Sequence, residues 1–359
     1  MAWKMLQELK KEETMGTKKY LRTIGLGLSG FFLLLMLTPV AAPAAAIEWK
    51  MQTIYPAGDS STPCNAQIIA NTLNERLKDK LHVTLYMPGQ IVPEEQMFEA
   101  LKKGVYDVGF MAPTWYQSFI PDAMVGFGLP LGWQGYDMDM EFFYKYGFLT
   151  YMREIHAQQD VYYLGPASFG SIAITGNFPF RKLEDLKGKK IWSIGVGAAL
   201  IKNLGGVPVT FPISESYMAL KLGTLDGTLT GVSDMDSMGY KEVVKFLNFP
   251  PMMDPINGSV LISLMAWKKL PQDLQKGVED TFMELRPAME KCIGNYYATA
   301  VEASKKAGVQ VITMDPSEVQ RLRPGALKVW EDIAKRSDRA PKTVQMLRDF
   351  LATKGIKIE

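Results

Sequence analysis

The residues able to do chemistry are few, and their spacing suits catalysis poorly. The chain has two histidines, His82 and His156. Neither belongs to an HxxxH or HExxH pattern, the spacing that sets two imidazoles on one helix face around zinc. His82 stands before a strand and His156 on a helix among polar residues, so both read as surface or structural. No G-x-S-x-G elbow presents a serine nucleophile. Gly195-Val196-Gly197-Ala198-Ala199 follows a strand and opens a helix, as a dinucleotide loop does, but the third glycine is missing at the required spacing. Glu141, Asp234 and Asp236 could serve acid–base work; as unpaired acids they read first as solvated. Cys64 and Cys292 fit no metal motif. An exported protein can join them, or each can be a small buried apolar group, and the reading leans to free thiols. The expectation is therefore no enzyme, no cofactor and no metal site.

What remains is aromatic surface at strand ends. Trp115 and Tyr116 follow directly on a strand, where open α/β folds bind ligands; packing of a domain edge is the competing use for them. The elements that must position such residues alternate between strand and helix. Residues 190–194 form a buried apolar run after a glycine, residues 198–204 a short helix ended by Gly205-Gly206, and residues 208–211 a strand. Ser214-Glu215 opens a second helix with Tyr217, Leu220 and Leu222 as its apolar positions, and Leu225-Asp226-Gly227 leads into a third strand. This rhythm builds a parallel sheet with its loops gathered at the strand ends.

The first half repeats the rhythm: a strand over 48–54, a turn at Tyr55-Pro56-Ala57-Gly58, a helix over 65–77, a strand over 83–86, a helix over 94–103 and a strand over 105–111. Residues 138–158 read as helix. After a strand over 260–265 come helical stretches at 271–285, 287–307 and 316–336, a strand over 308–312 and a last helix within 337–355. At 359 residues the chain exceeds what one compact domain usually holds. Two small α/β lobes are the plan of a hinged binding protein, and the run from Pro287 is long enough to lie across both.

Residues 1–46 stand apart from this fold. Lys18, Lys19 and Arg22 precede an apolar run over 24–37, too short to span a bilayer comfortably, and Ala44-Ala45-Ala46 offers a cleavage site before Ile47. An uncleaved anchor is the alternative, and Met15 is a candidate start. The segment carries six of the 40 basic and three of the 38 acidic residues. The mature chain is then close to neutral, and nothing points to nucleic acid. Export places the protein in the periplasm, not embedded in the membrane.

The stretch Asp185-Leu186-Lys187-Gly188-x-Lys190-Ile191, then Leu204-Gly205-x-x-Pro208-Val209, then Glu215-x-Tyr217-x-Ala219-Leu220-x-x-Gly223-x-x-Asp226-Gly227 resembles the central signature of TRAP-transporter solute-binding proteins of the DctP type. Weaker matches flank it: Met87-Pro88-Gly89-Gln90 with Gly104-x-x-Asp107, and Trp267-x-x-Leu270-Pro271-x-Asp273-x-Gln275. The resemblance implies a two-lobe, periplasmic-binding-protein-like (type II-like) α/β fold with a long helix bridging the lobes. It also implies a small-molecule ligand and membrane carrier subunits as partners. Lobe I is then 47–169 plus about 258–286, lobe II 170–257 plus about 308–359, and the bridging helix 287–307. A sensor-coupled binding protein and an exported α/β enzyme are the alternatives.

The same resemblance exposes a departure. Members of the family hold a ligand carboxylate with an arginine after Lys-Ile in the first strand of the signature; here that residue is Trp192. A second arginine is replaced by Ile172, and an asparagine by Thr230. Leu229-Thr230 does not supply the Glu-Trp pair that some keto-acid or lactate receptors use with a metal. The expected binding residues are Tyr55, Trp115, Tyr116, Phe169, Ile172, Trp192, Tyr217, Thr230 and Ser233. Burying a carboxylate among them without a cation is costly. The expected ligand is uncharged and aromatic or apolar, with a cation next and Asp234 or Asp236 as its partner.

Overall fold

From residue 47 onward the alternation of strand and helix periods becomes the fold. The structure is a computed structural model and describes residues 45–356. The predicted export segment, residues 1–46 with its alternative start at Met15, lies outside the described residues except for Ala45 and Ala46. Among the described residues no helix is long and apolar enough to cross a membrane.

The first half runs β1 (Ile47–Thr53), α1 (Gln67–Arg76), β2 (Leu81–Tyr86), α2 (Met97–Lys102) and β3 (Val108–Met111). A helical connection follows, with α3 (Ala123–Phe127), α4 (Tyr136–Met140) and α5 (Phe148–Ala157). The long strand β4 (Val161–Gly176) leads to β5 (Lys190–Trp192), α6 (Gly195–Asn203), β6 (Val207–Val209), α7 (Ser216–Lys221), β7 (Gly227–Gly231) and α8 (Asp234–Ser237). Then come β8 (Phe246–Phe249), β9 (Met253–Ser263), α9 (Leu264–Lys269), α10 (Gln272–Lys306), β10 (Gln310–Thr313), α11 (Pro316–Ala334) and α12 (Ala340–Thr353).

The strands form one ten-stranded sheet in the order β2-β1-β3-β9-β4-β7-β5-β6, with β8 on β4 and β10 on β8. Strand β1 pairs in parallel with β2 and β3, and β5 with β6 and β7. These are the two parallel blocks that strand–helix–strand alternation requires, because parallel neighbours need a crossover between them. Two antiparallel strands join the blocks: β9 pairs with β3, β4 with β7, and β4 with β9 along most of their length. Their register shifts on either side of Gly170. That residue has a φ of +83°, which side-chain-bearing residues rarely adopt. On β9, Gly258 lies opposite Ala167 and leaves room for the Phe169 ring, since an added Cβ there would lie 2.0 Å from it.

The stretches expected at 271–285 and 287–307 are one helix, α10, 35 residues long, with Pro287 inside it. A proline there removes one backbone donor and costs about 3 kcal/mol in isolation. Burial of Phe282, Leu285, Arg286 and Met289 around it outweighs that local penalty. At a rise of about 1.5 Å per residue α10 extends for roughly 50 Å. It contributes Leu274, Val278 and Phe282 to the core beneath β1–β3 and Ala300 to the core beneath β5–β8.

Two further expectations are corrected. Cys64 and Cys292 are joined in a disulfide, Cα to Cα 5.4 Å, rather than being free thiols. The fold carries a π-helical turn before α1 (Thr62–Ala66) up to the middle of α10, a proximity that a separation of 228 residues conceals. His156 is fully buried, not among polar surface groups. Its Nδ1 lies 2.7 Å from the Met152 carbonyl, and burial pushes its pKa down to about 3, so the ring is neutral. Of the acids read as solvated, Glu141 pairs with Lys354 and Asp236 with Lys241.

Candidate functional site

The carboxyl ends of β1, β3, β5, β6 and β7 border one cavity of about 840 Å³. Such a position follows from the topology. In each parallel block the strands end on the same side, so their outgoing loops converge. From the first block come Ile54, Tyr55 and Asp59 after β1, and Thr114 and Trp115 after β3. From the second come Trp192 and Ile194 at the end of β5, Phe211 and Ile213 after β6, Thr230 at the end of β7, and Asp234 in α8. Ile172 of β4 and Met253 and Ile256 of β9 supply the floor shared by both.

Five of the sequence-predicted binding residues meet in this cavity: Tyr55, Trp115, Ile172, Trp192 and Thr230. Trp192 is only 5% exposed, and its indole N–H donates to the Phe211 carbonyl at 3.0 Å. The ring therefore offers carbon rather than a hydrogen-bond donor to the cavity. Thr230 is 3.2 Å from the Thr228 hydroxyl, which in turn meets Thr175 at 2.9 Å. Trp115 remains 39% exposed at the rim.

The other four lie elsewhere. Tyr116 is wholly buried; its hydroxyl meets Ser259 at 2.7 Å and its ring stacks on Phe98. Trp115 ends a 3₁₀ turn over Pro113–Trp115, and Tyr116, capping that turn, points inward where Trp115 does not. Phe169 sits behind the lining, edge-on to Tyr55 with centroids 4.8 Å apart, and so holds that ring in place. Tyr217 donates to Glu242 at 2.9 Å on the outer side of α7. Ser233 precedes α8, where its carbonyl accepts from the backbone of Asp236 and Ser237.

Sequence reasoning missed Asp59 and Phe211 as lining residues. Both follow strand ends, so the rule that found Trp115 would have found them had it been applied to every strand. Asp234 was set aside as the partner of a cation and otherwise read as solvated. It faces the cavity, and burial together with the negative charge of Asp59 pushes its carboxyl up to about 7, against the pull of the Gly231 N–H and the Ser237 hydroxyl. Tyr55 is raised well above the ordinary phenol range by burial and by the same two carboxylates. Among the described residues the lining contains no lysine, arginine or histidine.

A mostly apolar cleft built from the strand ends of two parallel blocks is where open α/β folds take up small molecules. The chain belongs to the bacterial extracellular solute-binding proteins of family 7, the DctP family, whose pattern matches residues 57–337. It is 24% identical over 304 residues to the monocarboxylate 2-oxoacid-binding periplasmic protein of Nostoc sp., covering 83% of this chain and 82% of that protein. Its fold matches a TRAP periplasmic solute-binding protein from Rhodobacter sphaeroides in an apo, open structure (TM-score 0.74, 23% identity, 86% of this chain and 99% of that one). It also matches one from Chromohalobacter salexigens with bound (S)-(+)-2-amino-1-propanol (TM-score 0.71, 22% identity, 86% and 96%).

Proposed function

We propose that this protein is an extracytoplasmic receptor that takes a small organic molecule into the cleft and hands it to the membrane subunits of a TRAP-type carrier. The ligand is not an arginine-clamped carboxylate. The observation that carries this reading is the lining itself: aromatic and aliphatic side chains, two carboxylates and no basic residue. A buried carboxylate ligand would meet two like charges without a counter-ion, which costs several kcal/mol. The names of similar proteins do not decide the matter, since one binds 2-oxoacids and another was found with an amino alcohol. Export with cleavage before Ile47 belongs to the same proposal.

The lobes are assigned as 47–169 with about 258–286, and 170–257 with about 308–359. The paired strands β4 and β9 serve as the crossing, and α10 spans both. Closing the lobes about Gly170 would bring the Asp59 wall toward the Asp234 wall. Small-angle scattering on ligand-stripped protein is expected to show a smaller radius of gyration once ligand saturates the cleft. An unchanged radius at saturation would argue against a hinge.

The ligand class is tested by a thermal-shift panel on stripped protein, because a ligand that binds only the folded state raises its melting temperature. Non-carboxylate compounds with an aromatic or apolar body should give the large shifts. Trp115→Ala, at an exposed position, should weaken them about 3–10-fold, as loss of one aromatic contact does, and leave the ligand-free melting temperature unchanged. Large shifts from dicarboxylates or sugar acids alone would sink the reading.

A further inference from the structure

We propose that the ligand carries a positively charged nitrogen, a protonated or quaternary amine, held between the carboxylates of Asp59 and Asp234 with its body against Tyr55, Trp192 and Phe211. This rests on the receptor reading above and adds a charge to the ligand.

The two acids line the same cavity from different blocks, Asp59 from the turn after β1 and Asp234 from the first residue of α8. Among the described residues they are the only charged side chains in the lining. Among those residues neither has a cationic partner, in contrast to Asp236 nearby, which pairs with Lys241. Their own hydrogen bonds leave acceptor capacity free: Asp59 accepts from the Ser61 backbone through Oδ1 at 2.7 Å, and Asp234 accepts from the Gly231 N–H and takes a long 3.5 Å contact from Ser237 through Oδ1. Two like charges facing one apolar space repel across it, and a cation between them removes the repulsion and draws the walls together. The electron-rich faces of Tyr55, Trp192 and Phe211 favour the same sign of charge. An anion finds less. The Trp192 indole N–H is already donated to Phe211, and the first turn of α8 is occupied by Asp234 itself. Only the backbone at the start of α6, where Val196 and Gly197 line the cavity, would attract it.

Titration supports the geometry. The titratable groups that interact with Asp234 are Asp59, Tyr55 and Tyr240, none of them cationic, and burial with the charge of Asp59 pushes it up to about 7. Affinity for a permanently charged cation should therefore fall about tenfold between pH 8 and pH 6, as Asp234 takes up a proton.

The experiment is calorimetry and thermal shift on stripped protein with matched sets, such as 2-phenylethylamine, 2-phenylethanol and phenylacetate, their aliphatic counterparts, and benzyltrimethylammonium for the pH series. Amines are expected to bind at least tenfold more tightly than their alcohols. Asp234→Asn should erase that margin and should raise the ligand-free melting temperature at pH 8, which shows that the variant folds; Asp59→Asn should act in the same direction. If alcohols match amines and Asp234→Asn changes nothing, the charge inference falls while the receptor reading stands. If carboxylates bind best, both fall. If no member of the panel binds, the inference is overturned as well.

Discussion

Replacing Arg286 with methionine is expected to destabilise the protein by about 3–5 kcal/mol, the cost of leaving one member of a buried ion pair alone. Arg286 is 2% exposed in the middle of α10, beside the helix's internal proline. Its guanidinium reaches Asp139 at 3.5 Å and lies over the rings of Tyr136, Tyr144 and Phe282. Asp139 is fully buried and also accepts from Asn257 of β9 at 2.8 Å. Burial pushes its carboxyl up to about 6, opposed by Arg286 and Asn257. Without the arginine the remaining charge has one neutral donor and the partly buried Glu290 nearby.

The deficit should depend on pH in a definite sense. A carboxyl raised in the folded state holds its proton more tightly there than when unfolded, so it favours folding as pH falls through the folded value. Removing Arg286 raises Asp139 further, so the variant should lose most at pH 8 and least near pH 5. His156, buried and neutral, weakens wild type and variant alike over this range and cancels in the difference. Urea denaturation of wild type, Arg286→Met, Asp139→Leu and the double variant measures the coupling. A single-variant cost below about 1 kcal/mol, or a double variant no better than the single, would refute the pairing.

Removing the disulfide is the second large effect. Cys64 and Cys292 close a loop over a separation of 228 residues, and cross-links of that span typically contribute about 2–5 kcal/mol by restricting the unfolded chain. The bond also ties the turn that follows Asp59 to the long helix, so its loss should loosen one wall of the cleft as well as the fold. Cys64→Ser with Cys292→Ser is expected to lower the melting temperature and weaken ligand binding. Reductant should do the same to wild type and nothing to the variant. Protein recovered from outside the cytoplasmic membrane should begin at Ile47 and show no free thiol. Two titratable thiols in that material, or a wild-type melting temperature indifferent to reductant, would count against both the bond and the export proposal.

Much of this was written in the sequence at short range. Strand and helix periods determined the two parallel blocks, because each element's neighbour is set by the crossover that follows it. The strand-end rule located Trp115, and the family resemblance located Trp192, Thr230 and Ile172, all of which line the cleft. Local rules failed where a contact depends on distant chain. Pro287 reads as a helix start, yet α10 runs through it because buried side chains on both sides outweigh one lost hydrogen bond. Tyr116 and Trp115 are adjacent and aromatic, and only the direction of the backbone after β3 sends one into the core and the other to the rim. The disulfide joins residues that no spacing relates. The charge of the cleft was decided in the same way: Asp59 and Asp234 are ordinary acids in sequence, and it is the packing of two α/β blocks around one apolar space that brings both into a lining with no base among the described residues.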